Sequence, residues 1–181
     1  MDSARKILLI IPSSIIFFLI VPVVSLLAGK RLDQLIGIHP LGLGQLRRVY
    51  LVLLLVGGYY VIESIRILLV KGRGIPLGDV FPEDQTTELI TTGIYQQTRN
   101  PMLFGYLLCL VAMGISMESF SISFIIPGSF ILLWTIWLKT YEEPALETRF
   151  GQSYRDYKRA TPYLIPRPWR KNRNPRNSIC I

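Results

Sequence analysis

The chain has 181 residues, of which half are hydrophobic and only 18% charged; its net charge is +8 and its mean hydropathy +0.39. An ordinary soluble domain carries about 25% charged residues, so the composition excludes a disordered chain and a collagen-like one. Two cysteines, Cys109 and Cys180, exclude a disulfide scaffold, and one histidine, His39, excludes a His-cluster metal site.

The excess of apolar side chains falls into four stretches. Ile7 to Ala28 has no charged residue, and Pro12 and Pro22 predict bends in it. It is long enough to span a bilayer core, which takes about 20 residues, and too long for the apolar part of a cleavable signal, about 7–15. The second stretch, Val49 to Val70, carries Glu63 and Arg66 three residues apart, a spacing that lets them pair on one helix face. The third, Met102 to Met117, and the fourth, Phe120 to Leu138, are separated only by a few residues around Glu118. That spacing predicts an antiparallel helical hairpin, bent again at Pro127-Gly128. The expectation is an all-α membrane protein of four or five transmembrane helices. A helix over Ala145–Arg159, with Phe150, Tyr154 and Tyr157 on its apolar side, would lie on the cytoplasmic membrane surface. Three parts follow: N-terminal helices (1–70), a core (71–167) and a basic, disordered tail (168–181).

Charge orients this arrangement. Ten of the 20 Lys and Arg lie after Leu138, against four acids, so that region holds six of the eight net charges. The positive-inside rule makes it cytoplasmic, together with 71–100. One loop conflicts with four spans: 29–48 would be external, yet holds Lys30, Arg31, Arg47 and Arg48. Because the basic residues flank apolar helices, the expected partners are anionic lipid headgroups rather than nucleic acid.

Two polar segments carry the chemical information, and the hairpin brings both to one membrane face. The first contains Leu89-Ile90-Thr91-Thr92-Gly93-Ile94-Tyr95 and ends in Arg99-Asn100-Pro101-Met102; the second contains Tyr141-Glu142-Glu143-Pro144. Asn100-Pro101 reads as a helix start, with Asn as cap and Pro at the first position, where free N–H groups favour an anionic group. Arg99 can hold a carboxylate or phosphate through two donors. Gly93 allows positive φ, and Tyr95 offers a ring and a hydroxyl. Glu142 and Glu143 are placed against the preference of a helix C-terminus for cations, which points to a cationic or hydroxyl-rich ligand. S-adenosylmethionine has those features. Each element also has a structural reading: a plain cap, a solvated helix end, an interfacial tyrosine, a Glu63–Arg66 pair that only stabilises. His39 reads as a loop residue and Cys109 as packing.

In combination, Leu-Ile-Thr-x-Gly-x-Tyr-x-x-x-Arg-Asn-Pro-Met, the hairpin, and Glu-Glu-Pro-x-Leu-x-x-x-Phe-Gly-x-x-Tyr-x-x-Tyr resemble the integral-membrane methyltransferases of the isoprenylcysteine carboxyl methyltransferase and phospholipid methyltransferase superfamily. The resemblance covers about Gly72 to Arg167. It implies S-adenosylmethionine bound at the cytosolic face, by Glu88, Leu89, Ile90, Gly93, Tyr95, Arg99, Asn100, Pro101, Met102, Leu103, Glu142 and Glu143, and a lipophilic acceptor arriving from the membrane. Lys139, Glu63 and Arg66 are the candidates on the acceptor side; no residue stands out as a general base, and no metal is implied. Asn100 departs from the His of eukaryotic prenylcysteine members and points to the prokaryotic branch, hence a plasma membrane. Thr161-Pro162-Tyr163 stands where many relatives have Arg after Pro. These departures make a lipid or small hydrophobic acceptor the expectation over a prenylated protein. The competing reading is a non-catalytic, lipid-binding scaffold on the same fold.

Overall fold

The computed structural model describes residues 19–72 and 88–167. Among them every regular element is helical: α1 (Val21–Leu35), α2 (Val49–Ile67), α3 (Pro101–Ser116), α4 (Ile126–Trp137), α5 (Glu143–Phe150) and α6 (Gln152–Ala160). Most of the first expected span, the segment 73–87 and the tail after Arg167 lie outside the described residues. The described part of the first helix continues past Ala28 to Leu35.

Two continuous helical runs, Gly44–Val70 and Ser121–Phe150, are long and apolar enough to cross a membrane; α3, at 16 residues, is shorter. Their outward faces are strongly apolar: Val52, Leu55, Ile62, Leu132 and Leu133 are all exposed. Side chains of this kind in continuous stripes fit a lipid environment.

The bundle is held by close backbone approach. α2 and α3 form its most extensive pair and cross at Gly57 and Gly105. A Cβ on Gly57 would meet the Gly105 carbonyl oxygen at 2.6 Å, and one on Gly105 would meet that of Gly57 at 2.5 Å. Gly114 lies equally tight against the backbone of Ile122 and Ser123, and Gly29 against the Ile122 side chain. Small residues at crossings are how helices associate without a hydrophobic driving force between them. Val61, Tyr106 and Leu110 form the buried cluster beside this crossing.

The hairpin turn is as tight as the sequence predicts. Glu118 takes φ +53°, its N–H reaches the Ile115 carbonyl at 3.1 Å, and the Ser119 N–H reaches that of Gly114 at 3.1 Å. This is a Schellman closure with Glu in the left-handed position where glycine is usual. The loop 36–43 packs on the same end: the Leu41 N–H donates to the Glu118 carbonyl at 3.0 Å. Asp33 of α1 accepts from the Ser121 N–H at 2.8 Å and from the Ser119 hydroxyl, capping the start of the fourth helical run from another helix. The basic loop therefore sits beside the hairpin turn, at the end of the bundle away from Arg99 and Glu143.

Two expectations are corrected. Glu142 and Glu143 do not end a helix. The run continues to Phe150, with a π turn at Leu138–Glu142 before α5. The amphipathic helix over Ala145–Arg159 is two helices, because Gly151 takes φ +55° and breaks the run between α5 and α6.

Candidate active site at the α3 entrance

The segment before α3 is anchored on α2. Gly93 takes φ +66°, a left-handed conformation that favours glycine, and packs close to Ile67, whose Cδ1 a Cβ there would meet at 2.9 Å. A short 3₁₀ turn, Gly93–Gln96, buries Ile94 and sets Tyr95 against the bundle. Tyr60 of α2 donates its hydroxyl to Gln97 Oε1 at 2.6 Å, and Tyr157 of α6 donates to the Tyr95 carbonyl at 2.7 Å. Burial pushes the Tyr95 phenol well up, and the negative charge of Glu142 adds to it.

A C-terminal strap lies along the same segment. The Arg99 N–H donates to the Pro162 carbonyl at 2.9 Å and the Arg167 N–H to the Gln97 carbonyl at 2.9 Å. Asn100 Nδ2 and the fully buried Thr98 hydroxyl both donate to the Tyr163 carbonyl, at 2.9 and 3.2 Å. Asn100 therefore does not cap α3 with its side chain, as its sequence position suggested; it fastens residue 163 instead. Tyr163 reaches across to α4, where its hydroxyl donates to Thr135 Oγ1 at 3.0 Å. The Arg99 and Lys139 cations stand 5.5 and 5.8 Å from its ring centre.

Glu143 is the electrostatic centre. It receives Arg99 Nη1 at 2.6 Å and Lys158 Nζ at 2.6 Å, and Lys158 also reaches Glu147 at 2.9 Å. The Arg99 and Glu143 side chains are only 12% and 10% exposed. The π turn explains why Glu143 rather than Glu142 is buried. Five residues apart would put Leu138 and Glu143 on different sides of an α-helix; a turn closed by i→i+5 bonds brings both inward. Glu142 stays half-buried, its charge acting on the hydroxyls of Tyr95 and Tyr163. Burial, reinforced by the Glu143 charge, pushes the Tyr154 phenol up to about 12. Salt bridges to Glu143 and Glu147 raise the Lys158 ammonium, keeping it charged.

Of the residues expected to bind a cofactor, Gly93, Tyr95, Arg99, Asn100, Glu142 and Glu143 come together here. Pro101 and Leu103 are buried in the first turn of α3 with Met102 half-buried, Leu89 and Ile90 lead into the 3₁₀ turn, and Glu88 is exposed at its edge. Arg99 is not waiting with both arms free for a carboxylate, since Glu143 takes Nη1. Its Nε is buried with no hydrogen-bond partner among the described residues. On the acceptor side, Lys139 lies at the Tyr163 ring. Glu63 and Arg66 pair with each other at 2.7 and 2.8 Å, with Arg66 directed outward; the residue of that turn facing the site is the fully buried Ser64, beside Tyr95.

Sequence reasoning missed Lys158, Tyr163, Thr98 and Tyr60 as parts of this centre. A signal existed for Lys158, a cation eleven residues after Glu147 on the far side of a glycine break. For Tyr163 the signal was its place after Pro162, where many relatives carry Arg; its partners, 63 and 28 residues away, could not be read from it.

The arrangement suits a ligand carrying both charges. Glu142 and the aromatic ring of Tyr95 favour a cation; the buried Arg99 Nε and the α3 N-terminus, without a side-chain cap, favour an acceptor group. S-adenosylmethionine fits this donor and acceptor set.

The sequence profile of the phospholipid methyltransferase family matches residues 47–153. The chain is also 31% identical over 83 residues to the nickel-cobalt-cadmium resistance protein NccN of Alcaligenes xylosoxydans xylosoxydans; the match covers 46% of this chain and 38% of that relative's length. No solved structure matches the chain.

Proposed function

The chain belongs to the phospholipid methyltransferase family, and from that premise we propose that it is a membrane-embedded, S-adenosylmethionine-dependent methyltransferase acting on a lipophilic acceptor. In this reading the protein is multi-pass, lies in a prokaryotic plasma membrane, and has its site and C-terminus at the cytoplasmic face. The observation that carries it is the convergence of Arg99-Asn100-Pro101, Tyr95 and the Glu142–Glu143 pair at one end of an apolar bundle.

When bound, S-adenosylmethionine supplies an already activated methyl group. The protein's task is then alignment and exclusion of water, and holding reactants at about 3–3.5 Å supplies most of the rate. Glu142 and Tyr95 would hold the cationic parts of the ligand, and Arg99, oriented by Glu143, would offer Nε to its carboxylate. The strap at Tyr163 covers the end of the site, and the exposed α2 and α4 faces leave the acceptor a path from lipid. A carboxylate acceptor needs no base; an amine must lose a proton, and Glu142 is a half-buried carboxylate at hand for it.

Calorimetry of S-adenosylmethionine binding to the detergent-purified chain and to Glu142→Ala tests this. Saturable binding to the wild type, weakened at least tenfold in a folded variant, is the expected result. No binding to folded wild type favours the scaffold reading.

A further inference from the structure

We infer that the end of the bundle opposite Arg99 and Glu143 is a binding surface for anionic phospholipid headgroups. The last turns of α1 bring Lys30 and Arg31 to this end and the turn leading into α2 brings Arg47 and Arg48, all four exposed. Two acids, Asp33 and Glu118, face them, and both are engaged. Asp33 is taken by Ser119 and Ser121, and Glu118 by Arg47 at 3.6 Å. Lys30, Arg31 and Arg48 make no ion pair among the described residues, so a surplus of positive charge stands at the mouth of the helical run that begins at Gly44.

Apolar side chains are interleaved with these cations. Leu35 is 83% and Leu46 72% exposed, and Ile36 is exposed next to Leu35. Isolated in water such leucines would serve nothing. At a membrane boundary they enter the acyl layer while the neighbouring cations reach up to phosphate. Orientation by charge does not account for the patch, because that rule concentrates cations on one side of the membrane, and the segment after Leu138 already supplies them at the other end. Phosphodiester groups in the leaflet of the α1–α2 end do account for it. Each cation near such a surface contributes roughly 1 kcal/mol, about fivefold in affinity.

The test places the full chain in phosphatidylcholine nanodiscs containing a trace of phosphatidylglycerol with a photoreactive headgroup. Digestion then maps the crosslinks. Labelling of residues 30–48 is expected to exceed that by a zwitterionic lipid with the same photoreactive group. It should fall about fivefold in Arg48→Gln, and further in Lys30→Gln/Arg31→Gln/Arg48→Gln. Arg47 is left in place because it holds Glu118. Excess inorganic phosphate should leave the labelling unchanged, since the leucines anchor only a lipid. Equal labelling by the two lipids, labelling indifferent to both variants, or competition by inorganic phosphate would each overturn the proposal. The single variant removes one exposed charge, so it keeps the test decisive if the triple variant does not fold.

Discussion

The two ends of the bundle are closed by different chemistry. At the hairpin end, Asp33 is satisfied by neutral donors, the Ser119 hydroxyl and the Ser121 N–H, and the nearest cation is spent on Glu118. At the α3 entrance, Glu143 is satisfied by two cations from two other segments, Arg99 and Lys158. Neutral capping fixes geometry without drawing in a cation, and Lys30, Arg31 and Arg48 at that end make no ion pair among the described residues. An ion triad assembled from three segments fixes geometry only while all its members are present, and one of its guanidinium donors, Arg99 Nε, has no hydrogen-bond partner among the described residues. The second kind of closure ties three separate segments together at the end where the proposed ligand site lies.

The contrast can be broken by substitution. Glu143→Ala should have the largest effect. It strands a nearly buried guanidinium and frees Lys158, so the loss is expected to be about 3–5 kcal/mol, the usual cost of removing one partner of a buried pair. Detergent unfolding curves and faster proteolysis after Phe150 would report it; an unchanged curve would mean that the triad is peripheral. Asp33→Ala should cost less, about 1–3 kcal/mol, for the buried donors of Ser119 and Ser121 left without an acceptor. S-adenosylmethionine affinity per folded molecule should stay the same in that variant, and a change would show that the two ends are coupled. Tyr163→Phe sharpens the comparison at the smallest scale. It removes only the bond to Thr135, about 0.5–1.5 kcal/mol, and keeps the ring beside Arg99 and Lys139. Hydrogen exchange should rise in the strap over 161–167 and not in α3.

The outline of the fold is legible in the amino-acid sequence. The second, third and fourth apolar stretches and the break of a few residues at Glu118 are enough to predict the helices and the hairpin, because apolar length and turn chemistry are local properties; most of the first stretch lies outside the described residues. Gly93 is legible for the same reason, as a polar-segment glycine before an aromatic. The identity of the buried acid is not. Glu142 and Glu143 are adjacent and chemically alike, and a π turn, set by how the fourth run packs, chooses between them. Asn100-Pro101 marks the start of α3 correctly and misleads only about the Asn100 side chain, because a local cap is what that pair usually makes. Here a carbonyl 63 residues away competes for the amide and wins. The surface helix after Glu143 misleads through Gly151, whose left-handed conformation splits a pattern that reads as one amphipathic helix.

By itself the sequence determined that the described chain is helical with strongly apolar stretches, that its two polar segments share one end of a hairpin, and that their motifs are those of a methyltransferase family. Those properties depend on composition and on spacing along the chain. Only the tertiary structure decided which acid pairs with Arg99, that Tyr163 straps the entrance, that α2 and α3 meet backbone to backbone at Gly57 and Gly105, and that the basic α1–α2 loop gathers beside Glu118. Each of these is a contact between residues distant in sequence. Helix rotation and crossing, which no local pattern encodes, set the partner.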